Sequence, residues 1–383
     1  MRTIRFILRL LVCGASLSWA AQVGAYAYTF TDLGTLGGSD SGATAINAAG
    51  QIGGGSLTTS QDSYATLWNG SVPAALATPP GLHSAAFGLN DAGQVVGAVF
   101  PPFSEGVITA ATWSGGSLSL LPGLGGSASL ANAINNTGDI VGWADRPDRV
   151  SLAVKWSAGI PQVLDSLGGS WSFANDINDA GLIVGQSSLL GDEITRATLW
   201  SASGITDLGS LGRWSVANAI NGSGMIVGAS LFGDEETYGA ILWDDQGMHA
   251  LDSLPGFDGY ASDINSEGLI VGSASNPRDV VEDDTRAVLW IDGTPVDLND
   301  LIDPVFRLAG WKLEGAGEIN DAGAIVGVAS FQDPDNEFGP RFRHAFLLSP
   351  TAVPEPGSMA LVLSALAVCL GFSRRWRRHF PRP

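Results

Sequence analysis

The residues best suited to chemistry in this 383-residue chain are carboxylates gathered in four short segments. "LLGDEITR" (189–196), "LFGDEETY" (231–238), "NPRDVVEDDTR" (276–286) and "FQDPDNEFGPRFR" (331–343) carry Asp192, Glu193, Asp234, Glu235, Glu236, Asp283, Asp284, Asp333 and Asp335. Carboxylate oxygens are hard ligands, and a rim of them suits Ca2+. No segment has the D-x-D-x-D-G spacing with a distal Glu, so plain solvation of a charged rim is the competing reading. Calcium is the one cofactor these residues suggest. Opposed carboxylates could also serve glycoside hydrolysis, which needs a pair about 5–10 Å apart. The histidines of the same region, His83, His249 and His344, stand at unrelated places, and neither H-E-x-x-H nor G-x-S-x-G occurs.

A second polar residue draws attention by recurring. Asn47, Asn90, Asn135, Asn178, Asn221, Asn265 and Asn320 each stand in a near copy of "ANAINGSGMIVGAS" (217–230), and each is followed three residues later by Gly50, Gly93, Gly138, Gly181, Gly224, Gly268 or Gly323. Seven equivalent catalytic asparagines are an improbable device. Asn at the first position of a tight turn and Gly at its last, where φ is positive, explain the set as hairpin chemistry.

These turns need elements to carry them. Repeats come every 43–45 residues, with a longer last step, and fill almost all of residues 28–350. Each unit holds four short runs: A-x-x-I-N, G-x-I-V-G, A-x-L-W and a run ending like "ITDLG" (205–209). The spacings between runs are those of hairpins, and 51 glycines argue against long helices. Ile226 and Val227 are consecutive, so they face opposite sides of a strand, and a strand apolar on both sides belongs to a sheet covered twice. The predicted fold is therefore all-β, a seven-bladed β-propeller of four-stranded antiparallel blades. An open solenoid would use shorter repeats and distinct caps. The first run, "YTFTDLG" (28–34), lacks a preceding partner, and "HAFLL" (344–348) lacks a following one. Their pairing would close the ring in Velcro fashion and remove both sheet edges.

Two further constants read as packing. Ala lies four residues before each Asn and Gly seven after it, as in Ala217 and Gly228, which suggests close approach between blades. Trp68, Trp113, Trp156, Trp200, Trp243 and Trp290, with Phe346, end the A-x-L-W runs and read as inter-blade packing, with a sugar-stacking platform as the alternative.

Both ends differ from this body. Residues 1–27 place Arg2, Arg5 and Arg9 around an apolar run that ends in "AYA", the layout of a secretory signal cleaved after Ala27. Residues 351–383 place "VPEPGS", an apolar run (359–372) and an arginine-rich tail in order. That run is short for a transmembrane helix, which takes roughly 20 residues, but reaches the lower edge with its flanks. The order resembles the bacterial PEP-CTERM sorting signal through Pro354, Glu355 and Pro356. The resemblance implies an exosortase-type membrane protease and the secretion machinery as partners. It further implies transient anchoring in the inner membrane, then delivery to the envelope, outer surface or extracellular matrix of a Gram-negative bacterium.

Cys13 and Cys369 both lie in these ends, so the body has neither disulfide nor thiol nucleophile. The net charge of −19 becomes more negative once the arginines of both ends are set aside, which excludes nucleic acid as a partner. With "RHAFLLSP", "RATLW", "DLGTLGG" and "INDAGAIVG", the body is similar to the bacterial extracellular HAF-repeat family. The resemblance implies export and a propeller; it transfers no reaction. The resulting expectation is a non-enzymatic surface or matrix module that binds polysaccharide, a surface protein or cations. The alternative is a propeller hydrolase or lyase acting on extracellular polysaccharide. A cluster of His, Arg, Tyr and acids at one channel mouth would favour that enzyme.

Overall fold

A computed structural model describes residues 28–102, 106–233, 237–276, 284–332 and 341–351. One compact unit spans Thr29–Ser349; the other comprises the two ends, Met1–Tyr28 and Pro350–Pro383, almost all of it outside the described residues. The secretory signal, Pro354, Glu355 and Pro356 therefore fall outside the description. One expectation is corrected: no helix among the described residues is long and apolar enough to cross a membrane, and residues 359–372 lie outside them. The transmembrane assignment is withdrawn.

The body is all-β and built of repeated antiparallel sheets. The fifth repeat shows the plan, with strands Ser215–Ile220, Ile226–Leu231, Tyr238–Asp244 and Gly247–Ala250 paired in chain order. Five repeats form separate four-stranded sheets of this kind. In the first and last, the parallel bridge Asp40↔Arg343 joins two sheets into one. There Trp311–Ile319, Ile325–Phe331 and Phe342–Pro350 are consecutive neighbours, and the N-terminal strand Tyr28–Asp32 pairs with Phe342–Pro350.

The Ile-Val pair behaves as its alternation requires: Ile226 and Val227 are both buried, on opposite faces of the second strand. Apolar clusters lie between adjacent repeats. One joins Val184 and Ala197 of the fourth repeat to Ala217, Ile220, Ile226, Ile241 and Trp243 of the fifth. The sheets thus stack face to face, and each supplies half of two cores.

The small-residue pattern has a different cause from the one its spacing suggests. Gly228 pairs with Ala217 inside one sheet, next to a bulge between Ala217 and Ala219. A Cβ on Gly228 would sit 2.0 Å from the carbonyl oxygen of Val216, in the same repeat. Equivalent collisions at 2.0–2.1 Å await a Cβ on Gly54, Gly97, Gly142, Gly185, Gly272 and Gly327. Glycine is needed for the first strand to bulge against the second, not for neighbouring blades to meet. A bulge re-aims a side chain, and here it turns Asn218 inward.

The long last unit holds an insertion that is not strand. A 3-10 turn, Leu298–Asp300, is capped by Asp297, and a short helix, Pro304–Leu308, is capped by Asp303 with proline in its first turn. Phe306 of this helix lies 4.9 Å from the ring of Phe30, which also meets Trp311 at 5.2 Å. The insertion thus packs an aromatic lid over the N-terminal strand.

Gly224 has φ +89° with open space around its Cβ position, so Gly224→Ala should cost about 1–2 kcal/mol of left-handed strain. Gly228→Ala brings backbone collision in place of left-handed strain and should cost about 3 kcal/mol. Urea unfolding of the two variants checks the order.

Candidate functional site

The repeated asparagines are almost fully buried and do two jobs at once. In the fifth repeat, Gly224 N–H donates to the Asn221 carbonyl at 3.1 Å, closing the turn. The side-chain Oδ1 of Asn221 accepts from the N–H of Met225 at 3.0 Å and of Ser223 at 3.1 Å. Its Nδ2 donates forward, to the backbone carbonyl of Asn265 in the next repeat at 3.0 Å. The same forward bond runs from Asn47 to Asn90, Asn90 to Asn135, Asn135 to Asn178, Asn178 to Asn221 and Asn265 to Asn320. Asn320 then donates to the Asn47 carbonyl at 3.1 Å. Seven amides make one closed cycle.

Other ties follow the same sense. The bulged residues Asn132, Asn175 and Asn218 donate to the carbonyls of Ala174, Ala217 and Ala261, one repeat ahead. The Ala345 N–H donates to the Ser41 hydroxyl at 2.9 Å, so the last repeat meets the first here too.

The bulges turn residues of all seven first strands toward a common narrow bore of about 160 Å3. Most side chains two positions before the asparagine are small: Ala45, Gly88, Ala133 and Ala219. Asp176, Asp263 and Glu318 break the rule. Asp176 accepts from the N–H of Ile220 and Asp263 from that of Ile319, each at 2.8 Å; Glu318 accepts from that of Ile46. Each carboxylate thus caps a backbone donor of the following repeat. The part of each that stays exposed lines this narrow bore. Burial raises all three pKa values. It pushes Asp263 up to about 7, with Asp176 and Asp321 adding repulsion, and holds Glu318 well above the carboxylate range beside Asp263.

One mouth of the bore carries the turn tips. Asp91, Asn136, Asp179 and Asp321 ring it with Ala48, Gly222 and Ser266. Asp91 accepts from the Ala48 N–H, Asp179 from the Asn136 N–H and Asp321 from the Ser266 N–H. The residues of this mouth include acids and amides but no His, Arg or Tyr among those described. His83, His249 and His344 lie apart from it, each against a single aspartate: Asp62, Asp244 and Asp32.

Of the rim acids read from the sequence, Asp192, Glu193 and Asp284 are described; Asp234, Glu235, Glu236, Asp283, Asp333 and Asp335 lie outside the described residues. Asp192 accepts from the N–H and hydroxyl of Ser170 at 2.8 and 2.7 Å. Asp284 is held by Lys312 at 2.6 Å and Arg286 at 3.2 Å. Calcium at this rim would have to displace those partners. Among the described residues, no group of three or more His, Cys, Asp or Glu is placed to hold a metal ion.

The tryptophans are not a sugar platform. All six are buried, and five donate Nε1–H to a carbonyl near the end of the preceding outer strand. Trp113 reaches Ala77, Trp156 Pro122, Trp200 Asp165, Trp243 Leu208 and Trp290 Asp252, at 2.6–2.9 Å. Trp68 Nε1 is buried without a partner.

The three bore carboxylates escaped sequence reading. Their signal was available as the three charged departures from a column of small residues.

No family model matches the chain, and no curated protein does. Among solved structures, the chain is similar to AofleA from Arthrobotrys oligospora, with 10% identity over 71% of this chain and 85% of that one, at a TM-score of 0.39. It is also similar to a variant of Aleuria aurantia lectin in complex with Fucα1-6GlcNAc, with 11% identity over 87% and 99%, at a TM-score of 0.33.

Asn221→Ala orphans two turn N–H groups and removes the forward donor, and should cost about 1–3 kcal/mol in urea unfolding. Asn221→Asp keeps the acceptor and loses the donor, so it separates the two roles.

Between the ordinary 3.8 and about 7, folded Asp263 holds a proton that the unfolded chain has released, so stability falls as pH rises through that window. The depressed pKa values of Asp139 and Asp284 oppose this only at lower pH. The urea midpoint should be higher at pH 5 than at pH 8, and Asp263→Asn should flatten the difference.

Proposed function

We propose that the chain is an exported, non-enzymatic module of the cell surface or extracellular matrix that binds neutral polysaccharide. Its body is a closed seven-bladed β-propeller in which Tyr28–Asp32 completes the last blade. The Asn320–Asn47 and Ala345–Ser41 bonds support closure, as does the pairing of Tyr28–Asp32 with Phe342–Pro350.

One observation carries the non-enzymatic reading: the repeated polar groups around the bore are spent on joining repeats. The asparagine amides, the bulge amides and the three carboxylates all bond backbone groups one repeat away. A general acid or base must instead reach a substrate proton. An acidic body suits solubility outside the cell. In this reading residues 1–27 direct export, and the segment around Pro354, Glu355 and Pro356 directs sorting by an exosortase-type protease.

Retention of the full chain on immobilised neutral glucans and mannans, followed by assay for released oligosaccharides, tests the reading. Retention with no shortening of the polymer is expected. Shortened products, or no retention on either polymer, would overturn it.

A further inference from the structure

In a chain of repeats, the unit that departs from its siblings is where a specific site is to be sought. The positions just before the paired Ile and Trp of the second and third strands show such a departure. In repeats four to seven they hold Leu182 and Leu199, Met225 and Leu242, Leu269 and Leu289, and Ala324 and Leu347, and these side chains pack on or within the cores between repeats. In the third repeat the same two positions hold Asp139 and Lys155.

The first two repeats hold Gln51 and Leu67, and Gln94 and Thr112, so the third differs in carrying an ionised pair rather than in lacking leucine. A cleft of about 720 Å3 lies there, between the third and fourth repeats, on the face that carries the asparagine turns. The size is that of a small-molecule site. Lys155 Nζ meets Asp139 Oδ2 at 2.6 Å, and Ser157 donates its hydroxyl to Asp139 Oδ1 at 2.6 Å. Burial tends to raise the Asp139 pKa, but the bonds from Lys155 and Ser157 outweigh it and hold the carboxylate ionised. The opposite wall carries the exposed Asp179 and the hydroxyls of Ser201 and Ser203, above a part-buried apolar floor of Leu164 and Leu182.

We propose that this cleft is a subsite for one pyranose unit of a neutral polysaccharide; the proposal rests on the binding-module reading above. An ammonium beside a carboxylate offers a donor next to an acceptor, and adjacent sugar hydroxyls, each able to give and take a hydrogen bond, satisfy both. The apolar floor receives the C–H face of the ring. Two carboxylates against one ammonium leave the cleft negative, which disfavours uronic acids and sulfated sugars.

The test titrates the full chain calorimetrically with cellobiose, maltose and mannobiose. At least one should bind, and the doubly substituted D139L/K155L, which copies the leucine pair of the fourth repeat, should bind it at least tenfold more weakly. Ser203→Trp blocks the cleft from an exposed position without touching the core, and should weaken binding equally at an unchanged melting temperature. Equal affinity in both variants overturns the cleft and leaves the module reading intact. So does silence of all three probes from a wild-type chain that immobilised glucan still retains. Loss of retention on both glucan and mannan as well would overturn both.

Discussion

Everything in this body depends on a hydrogen bond between a buried amide and the backbone of the next repeat. A sheet that is covered on both faces has no water to satisfy its turn groups, so each buried N–H and C=O needs a partner from the protein. The asparagine solves this locally with Oδ1, which receives the turn N–H groups, and non-locally with Nδ2, which reaches forward. Aspartate, serine or threonine could imitate the first function. A planar amide is the smallest side chain that accepts at one end while donating at the other. That requirement explains why the residue recurs unchanged while its neighbours vary.

The repeat unit was open to reading because its causes are local. Hairpin spacing, a positive-φ glycine and two consecutive apolar residues are properties of a dozen adjacent positions, and they fix four strands and which of them is buried on both faces. What lay beyond reach was set by contact between units. The amide of Asn221 looks the same in a sequence whether it points at its own turn or at Asn265. Gly228 looks like a spacer between blades until the bulge beside Ala217 shows that it yields to its own neighbour. Trp156 reads equally as a stacking surface or a buried anchor, and only the Pro122 carbonyl decides. The insertion after Thr294–Asp297 was visible as extra length but not as a helix.

The bore carboxylates show how repetition and its exceptions divide the labour. Four repeats leave the position small, and three place a carboxylate there that caps a neighbour's N–H. Close confinement makes ionisation of each group less favourable than in water and raises its pKa. Asp139 and Lys155 are an exception of another kind, because their charges neutralise each other and leave room rather than fill it. One departure tightens the ring and the other opens it.

The pairing of Tyr28–Asp32 with Phe342–Pro350 has a consequence in time. The first strand to emerge during synthesis cannot find its partner until nearly the whole body has followed. Until then Phe342–Pro350 lacks that neighbour, and an unpaired edge is a template for another chain. In the exported module proposed above, that interval falls on the far side of a membrane. The order of the strands therefore suits a protein that folds after transport better than one that folds while it is being made.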